Sequence, residues 1–537
     1  MNCRFFSILL LVFCASLVST SASGQDHMGR FEAFDVEAYV FNLQIQDANN
    51  IIEGEAVVTV RFKQDLQDLV LDLASVNSEG RGMVVEGVYS SETGPVTFTH
   101  RDDKLRISYL GAMNEMETFT ILYSGEPANG LVIAVNKFGD RTFFGDNWPN
   151  RAFHWLPTVD HPSDKAMVAW AITAPNHYQV VANGYLVEET DIDDHTRLTR
   201  WQTDVPLATK VMVFGAARFA VEQVGEIYNV PVSSWVYPQN RDEGFYDYEM
   251  ALEIVDWFIN HVGPYPYAKL ANVQSKTMFG GMENAGNIFY SEGSVSGKRQ
   301  IEGLLAHEIA HQWFGNSASE ASWHHSWLSE GFATYFTNLY MEQKHGRDRF
   351  VKGEKQQRNS VVSYAKQAYV PLVNPAITDY MRVLSTNTYQ KGGWVLHMLR
   401  KQLGDDLFWE GIRTYYAAYT HSNAYSDDLR QVLENVSGRE LETFFDQWVY
   451  SPGHPELDVT WSHKGQELNI TFLQTQAEAF HFPLELDVVF EDGSTMREVL
   501  DLTEARTAVQ IITEKKPTEI ILDPDTWLLF EGSVTKK

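Results

Sequence analysis

A chain of 537 residues exceeds what a single hydrophobic core supports, so two to four domains are expected. Apolar residues at 44% and aromatic residues at 13% suffice for burial throughout, which excludes a disordered chain. With 42 basic against 71 acidic residues the net charge is −29; this argues against nucleic-acid binding through clustered Lys and Arg, and describes an acidic, solvated surface.

In chain order, residues 1–24 stand apart. Arg4 precedes an apolar stretch over residues 5–18 and a small-residue tract over 19–24. The stretch is short for a bilayer span and suits the core of a signal peptide, so export to a periplasmic or extracellular compartment is expected; a retained anchor is the alternative. Both cysteines, Cys3 and Cys14, lie in this leader. The mature chain would then have no disulfide, no thiolate metal ligand and no cysteine nucleophile. No later segment approaches a membrane span.

Residues 25–238 read as an N-terminal antiparallel β-domain. Runs at 36–43 and 54–62 alternate apolar and polar residues, and turn clusters such as 91–95 punctuate them. The pattern changes near Asn240. Residues 239–450 form an α-rich segment, with helical periodicity over 246–262, 300–316, 327–345, 391–403, 407–418 and 426–436. A breaker-rich junction, Ser451-Pro452-Gly453-His454-Pro455, leads into renewed alternation, so residues 451–537 read as a small C-terminal β-sandwich domain. The architecture expected is multidomain α+β.

The α-rich segment holds His307-Glu308-Ile309-Ala310-His311. Residues four apart share a helix face, so both imidazoles reach one ion, and Glu308 reaches water beside it. Eighteen residues separate His311 from Glu330, which lies in a second helical pattern. A third ligand from there leaves one zinc position open, as a catalytic site requires. His324 and His325, adjacent in sequence, face different ways and read as surface or supporting residues.

At these residues the chain resembles the M1 (gluzincin) family of zinc metallo-aminopeptidases. Gly280-Gly281-Met282-Glu283-Asn284 is similar to the family's G-x-M-E-N signature, His307 to Glu330 matches its zinc motif and spacing, and Tyr389 falls where the family places its catalytic tyrosine. The resemblance implies a thermolysin-like catalytic domain and one Zn²⁺ per chain held by His307, His311 and Glu330. It implies Glu308 as general base and Tyr389 as donor to the oxyanion. Gly280, Gly281, Met282 and Glu283 would bind substrate, with the glycines allowing the peptide close approach. Glu283 would pair with the free amino terminus of a peptide, which an aminopeptidase needs and an endopeptidase does not. Ser329 stands where many members carry Asn, and Asp146 falls near a glutamine that in many members helps hold the amine. The resemblance further implies a short form without the family's large C-terminal helical domain. An endopeptidase, an epoxide hydrolase and a catalytically inactive binding protein remain as alternatives; first-residue preference and oligomeric state are not legible.

Overall fold

The computed structural model describes residues 25–537, so the expected leader with Cys3 and Cys14 lies outside the described residues. Among the described residues no helix is long and apolar enough to cross a membrane.

The alternating runs become long strands. Phe34–Gln44 buries Val36, Tyr39, Phe41 and Leu43, and Ile52–Phe62 buries Ala56, Val58 and Val60 opposite it, so one face of the pair is apolar. They sit at the middle of a nine-stranded sheet. The expectation of a purely antiparallel sheet needs one correction, because Phe34–Gln44 pairs in parallel with Lys165–Pro175. More than a hundred residues separate the two strands, ample for the crossover that parallel pairing requires. A four-stranded sheet in the order Gln179–Ala182, Phe214–Ala217, Arg141–Gly145, Leu131–Val135 accompanies it. The chain leaving Arg141–Gly145 runs directly into Asp146, Asn147 and Trp148, which places this part of the β-domain against the site described below.

A five-stranded mixed sheet follows, in the order Ala220–Ile227, Val230–Val236, Leu270–Ser275, Asn287–Ser291, Gly281–Met282. Hydrogen bonding therefore runs unbroken across residue 238: Val230–Val236 pairs in parallel with Leu270–Ser275. Gly281–Met282 is the outer strand and is paired on one side only, to Asn287–Ser291.

The helices that matter for the site are α1 (Ala251–His261), α2 (Glu302–Trp313), α3 (Trp327–His345) and α4 (Gly392–Leu403). From Leu305 onward α2 is buried except for the partly covered His307, so the helix is a core element rather than an amphipathic surface one. Helix α3 crosses α4 at two glycines. A Cβ on Gly331 would lie 2.8 Å from the carbonyl carbon of Gly392, so the backbones touch where any side chain would force them apart. A 19-residue helix over Arg347–Ala365 carries no such role and was not among the helical patterns of the sequence.

Beyond the junction at 451–455, a four-stranded sheet (order Arg506–Ile512, Glu467–Gln474, Glu456–Lys464, Glu531–Lys536) and a three-stranded one (Thr495–Leu502, Phe482–Phe490, Pro517–Leu522) bury alternate residues such as Ile470, Phe472, Leu484 and Leu486. Their attachment to α4 is polar and aromatic at once. His397 accepts from the Tyr335 hydroxyl at Nδ1 (3.0 Å), donates from Nε2 to the Thr526 carbonyl (2.8 Å) and stacks 4.5 Å from the Trp527 ring.

Candidate active site

Helix α2 presents His307 and His311 one turn apart with their Nε2 atoms 3.2 Å from each other. Glu330, in the first turn of α3, brings Oε2 to 3.4 Å from His307 Nε2 and 3.2 Å from His311 Nε2. A carboxylate in the first turn also meets the positive end of the helix dipole. The three donor atoms lie within 4.8 Å of one another. Behind His311, Nδ1 is 3.2 Å from the Phe314 carbonyl and 3.1 Å from Ser329 Oγ. A proton on Nδ1 satisfies the carbonyl and leaves Nε2 with its lone pair facing the other two donors. Ser329 thus makes a direct contact with the His311 imidazole.

The remaining predicted residues gather around this trio. Glu308 is buried beside His311 and Glu283, and these three also lie within 4.8 Å of one another. Gly280, Gly281, Met282, Glu283, Glu308 and Tyr389 line one cleft of about 270 Å³ together with the trio. The Tyr389 ring stacks 5.9 Å from that of His307. It is carried by a π-helical turn, Asn387–Lys391, just ahead of the Gly331–Gly392 crossing. The explanation for one glycine changes. A Cβ on Gly281 would come within 2.4 Å of the Glu308 carboxylate, so glycine there makes room for Glu308; a Cβ on Gly280 would meet only Leu304, at 3.7 Å.

Glu283 is held by its backbone. Its carbonyl accepts from Gln312 Nε2 (2.8 Å) and Asn316 Nδ2 (2.6 Å), and Gln312 Oε1 in turn accepts from the Gly286 amide (2.9 Å). The side chain is buried, and its Oε1 has no hydrogen-bond partner among the described residues. A buried carboxylate oxygen left this way is costly unless a cation or donor meets it.

Electrostatics point the same way. Burial pushes the Glu308 carboxyl well above its ordinary value and raises that of Glu283, although the nearby His311 charge opposes both. Burial acts to raise Glu330 too, but the two imidazoles outweigh it and hold its carboxyl well below the usual range. At His311 burial acts downward, yet Glu330, Glu283 and Glu308 together push it up to about 10. Burial lowers His307. Three carboxyl groups and two imidazoles share a low-dielectric pocket, and a divalent cation there would favour the ionised carboxylates and the neutral imidazoles. Two imidazole nitrogens and one carboxylate oxygen are the donor chemistry of zinc, so the residues fit that ion.

Sequence reasoning missed several residues of this cleft. Trp148, Phe279, Leu304 and Leu384 line it, and Gln312 and Asn316 hold its backbone. Gln312 had a signal, as a polar residue on the buried face of α2 one turn after Glu308. Trp148 had none, since it arrives from another sheet. His324 and His325 lie outside the donor group and bond elsewhere, His324 with the Ile377 carbonyl at 2.9 Å and His325 with Ser426 Oγ at 2.8 Å. Asp146, in the β-domain, is tied up by Arg151, whose Nη2 donates to its Oδ1 at 2.5 Å.

A β-rich domain set against a helical one, with two histidines and a glutamate converging beside a second buried glutamate, defines a candidate metal centre. Comparison with known proteins narrows it. Residues 35–211 match the peptidase M1 N-terminal domain and residues 246–448 the peptidase family M1 domain. The chain belongs to peptidase family M1. It is similar to glutamyl aminopeptidase of Bos taurus (28% identical over 334 residues, 58% of this chain and 34% of that protein). It is similar to aminopeptidase N of Mus musculus (28% over 336 residues, 57% and 35%) and to aminopeptidase 2 of Candida albicans (25% over 500 residues, 86% and 52%). The chain thus spans between about a third and a half of the length of these relatives.

Proposed function

We propose that this protein is a zinc-dependent aminopeptidase that hydrolyses the N-terminal residue from peptides. The observation that carries the reading is Glu283: a buried carboxylate with an unpartnered oxygen, in the same cleft as the His307–His311–Glu330 trio. A protonated α-amine is the group that such an oxygen lacks. The names of the relatives support the same activity.

Zinc held by His307, His311 and Glu330 would supply a Lewis acid that lowers the pKa of water toward about 7 and polarises the scissile carbonyl. Everything else falls to the chain. Glu283 receives the amine and so fixes the peptide by its first residue. The free edge of Gly281–Met282 offers backbone N–H and C=O groups to the peptide backbone beside it. Glu308, raised by burial, takes a proton from the attacking water and returns it to the leaving amine. Tyr389 keeps its proton, because burial and the surrounding carboxylates push its hydroxyl far above the ordinary value; it donates to the oxyanion. Export rests on the apolar leader over residues 5–18, and the fold of the helical segment is read as thermolysin-like.

The test is turnover of Ala-, Leu-, Arg- and Lys-amide reporters by the full chain, with and without a zinc chelator, and by Glu283→Ala. Cleavage that needs zinc and is lost with Glu283 supports the reading. Unchanged cleavage of the reporters by folded Glu283→Ala, or cleavage of blocked internal peptides only, overturns it in favour of another hydrolase.

A further inference from the structure

We infer that the cleft accepts peptides whose first side chain is uncharged. The inference rests on the aminopeptidase reading above and concerns the wall that the first side chain meets. The apolar side chains lining the cleft, which a first side chain would meet, include Trp148, Phe279, Leu304 and Leu384. Every charged side chain that lines the cleft is committed already, to the amine, the metal or the proton: Glu283, Glu308, Glu330, His307 and His311.

One further pair of charges stands just behind the wall, and it is closed on itself. Asp146 accepts from Arg151 Nη2 (2.5 Å) through Oδ1, and from Thr277 Oγ1 (3.3 Å) and the Met278 amide (3.4 Å) through Oδ2. Arg151 uses Nε on the Trp148 carbonyl (2.7 Å) and Nη1 on Asn129 Oδ1 (3.3 Å), and its guanidinium lies 5.7 Å from the Phe279 ring. The side chains of Asp146 and Arg151 are 1% and 9% exposed. Trp148 and Phe279 are thus braced by a neutral pair that offers no free charge to a substrate. An acidic or basic first side chain would enter the cleft without an opposing partner, and a buried charge so placed is strongly disfavoured. An alkyl or aromatic one removes apolar surface from water instead. The acidic surface can draw cationic peptides toward the protein, but it does not supply a partner inside.

The experiment compares kcat/KM of the zinc-loaded full chain on Ala-, Leu-, Met- and Phe-amide reporters with Glu- and Asp-amide and with Lys- and Arg-amide. The uncharged group is expected to lead both charged groups by about tenfold or more. Unmasking the pair should then shift the preference in opposite directions: Asp146→Asn frees Arg151 and raises the Glu-to-Leu ratio, while Arg151→Met frees Asp146 and raises the Lys-to-Leu ratio. A wild-type preference for a charged reporter overturns the inference and leaves the aminopeptidase reading standing. Turnover of no reporter at all overturns both. Folded variants whose ratios stay put or move together also overturn the inference, and if neither variant folds, the wild-type panel alone decides.

Discussion

Gly331 of α3 and Gly392 of α4 meet backbone to backbone, close enough that a Cβ on either would fall 2.8–3.0 Å from main-chain atoms of the other. Glu330 directly precedes one of these glycines and Tyr389 lies three residues before the other, so the contact bears on the separation between the proposed metal ligand and the hydroxyl proposed to assist it. Gly331→Ala is expected to destabilise the protein by about 1–3 kcal/mol through overpacking and to lower kcat by moving Tyr389. Thermal unfolding and reporter kinetics check this. A variant that melts and turns over like the wild type would remove the contact from any role in the site.

Tyr389→Phe keeps the ring against His307 and deletes only the hydroxyl. The expected result is a fall in kcat on the order of 10²–10³ with bound zinc unchanged. Steady-state kinetics beside metal analysis of the same sample separates loss of the donor from loss of the ion.

Lys210, in the β-domain, and Glu320, between α2 and α3, form an ion pair of 2.6 Å with side chains 1% and 0% exposed. Lys210→Met strands a carboxylate in the interior and is expected to cost about 3–5 kcal/mol. Adding Glu320→Leu removes the stranded charge and should recover most of that loss. Denaturant unfolding of the single and double variants reads this directly; a double variant no better than the single one would contradict it.

His397 gives a pH dependence of known sign. Burial lowers its pKa to about 3, against an ordinary value of 6.5, with Arg347, Arg400 and Lys401 adding to the effect and the Thr526 carbonyl opposing it. The unfolded chain therefore takes up a proton that the folded protein refuses. The contribution is complete above pH 6.5 and declines as the pH falls toward 3, at up to about 1.4 kcal/mol per unit. His454, lowered by burial to about 4, acts in the same direction at the junction. Melting midpoints between pH 7 and pH 4 should fall more steeply for the wild type than for His397→Gln. Parallel curves would rule the residue out as the source.

Much of the site was legible because its signals are local. His307, Glu308 and His311 share one helix, Glu330 follows at a fixed interval, and the alternation at 36–43 and 54–62 is a direct print of a half-buried sheet. What escaped notice depends on contacts between distant parts. Trp148 reaches the cleft from a β-sheet strand end, with Arg151 behind it, and no periodicity announces that. The helix Arg347–Ala365 buries only Phe350, Glu354 and Val361, too sparse a stripe to register as helical. The parallel pairing of Phe34–Gln44 with Lys165–Pro175 leaves no mark in either strand, since alternation reports which face is buried and says nothing of the neighbour's direction.

The sheet that runs across residue 238 bears on how the protein can be divided. Val230–Val236 covers one edge of Leu270–Ser275, and Ala220–Ile227 covers Val230–Val236 in turn. An excised catalytic fragment starting at residue 239 would bare a row of unpaired amides and carbonyls along a wholly buried strand, an open template for self-association. A fragment beginning before Ala220 retains its own cover.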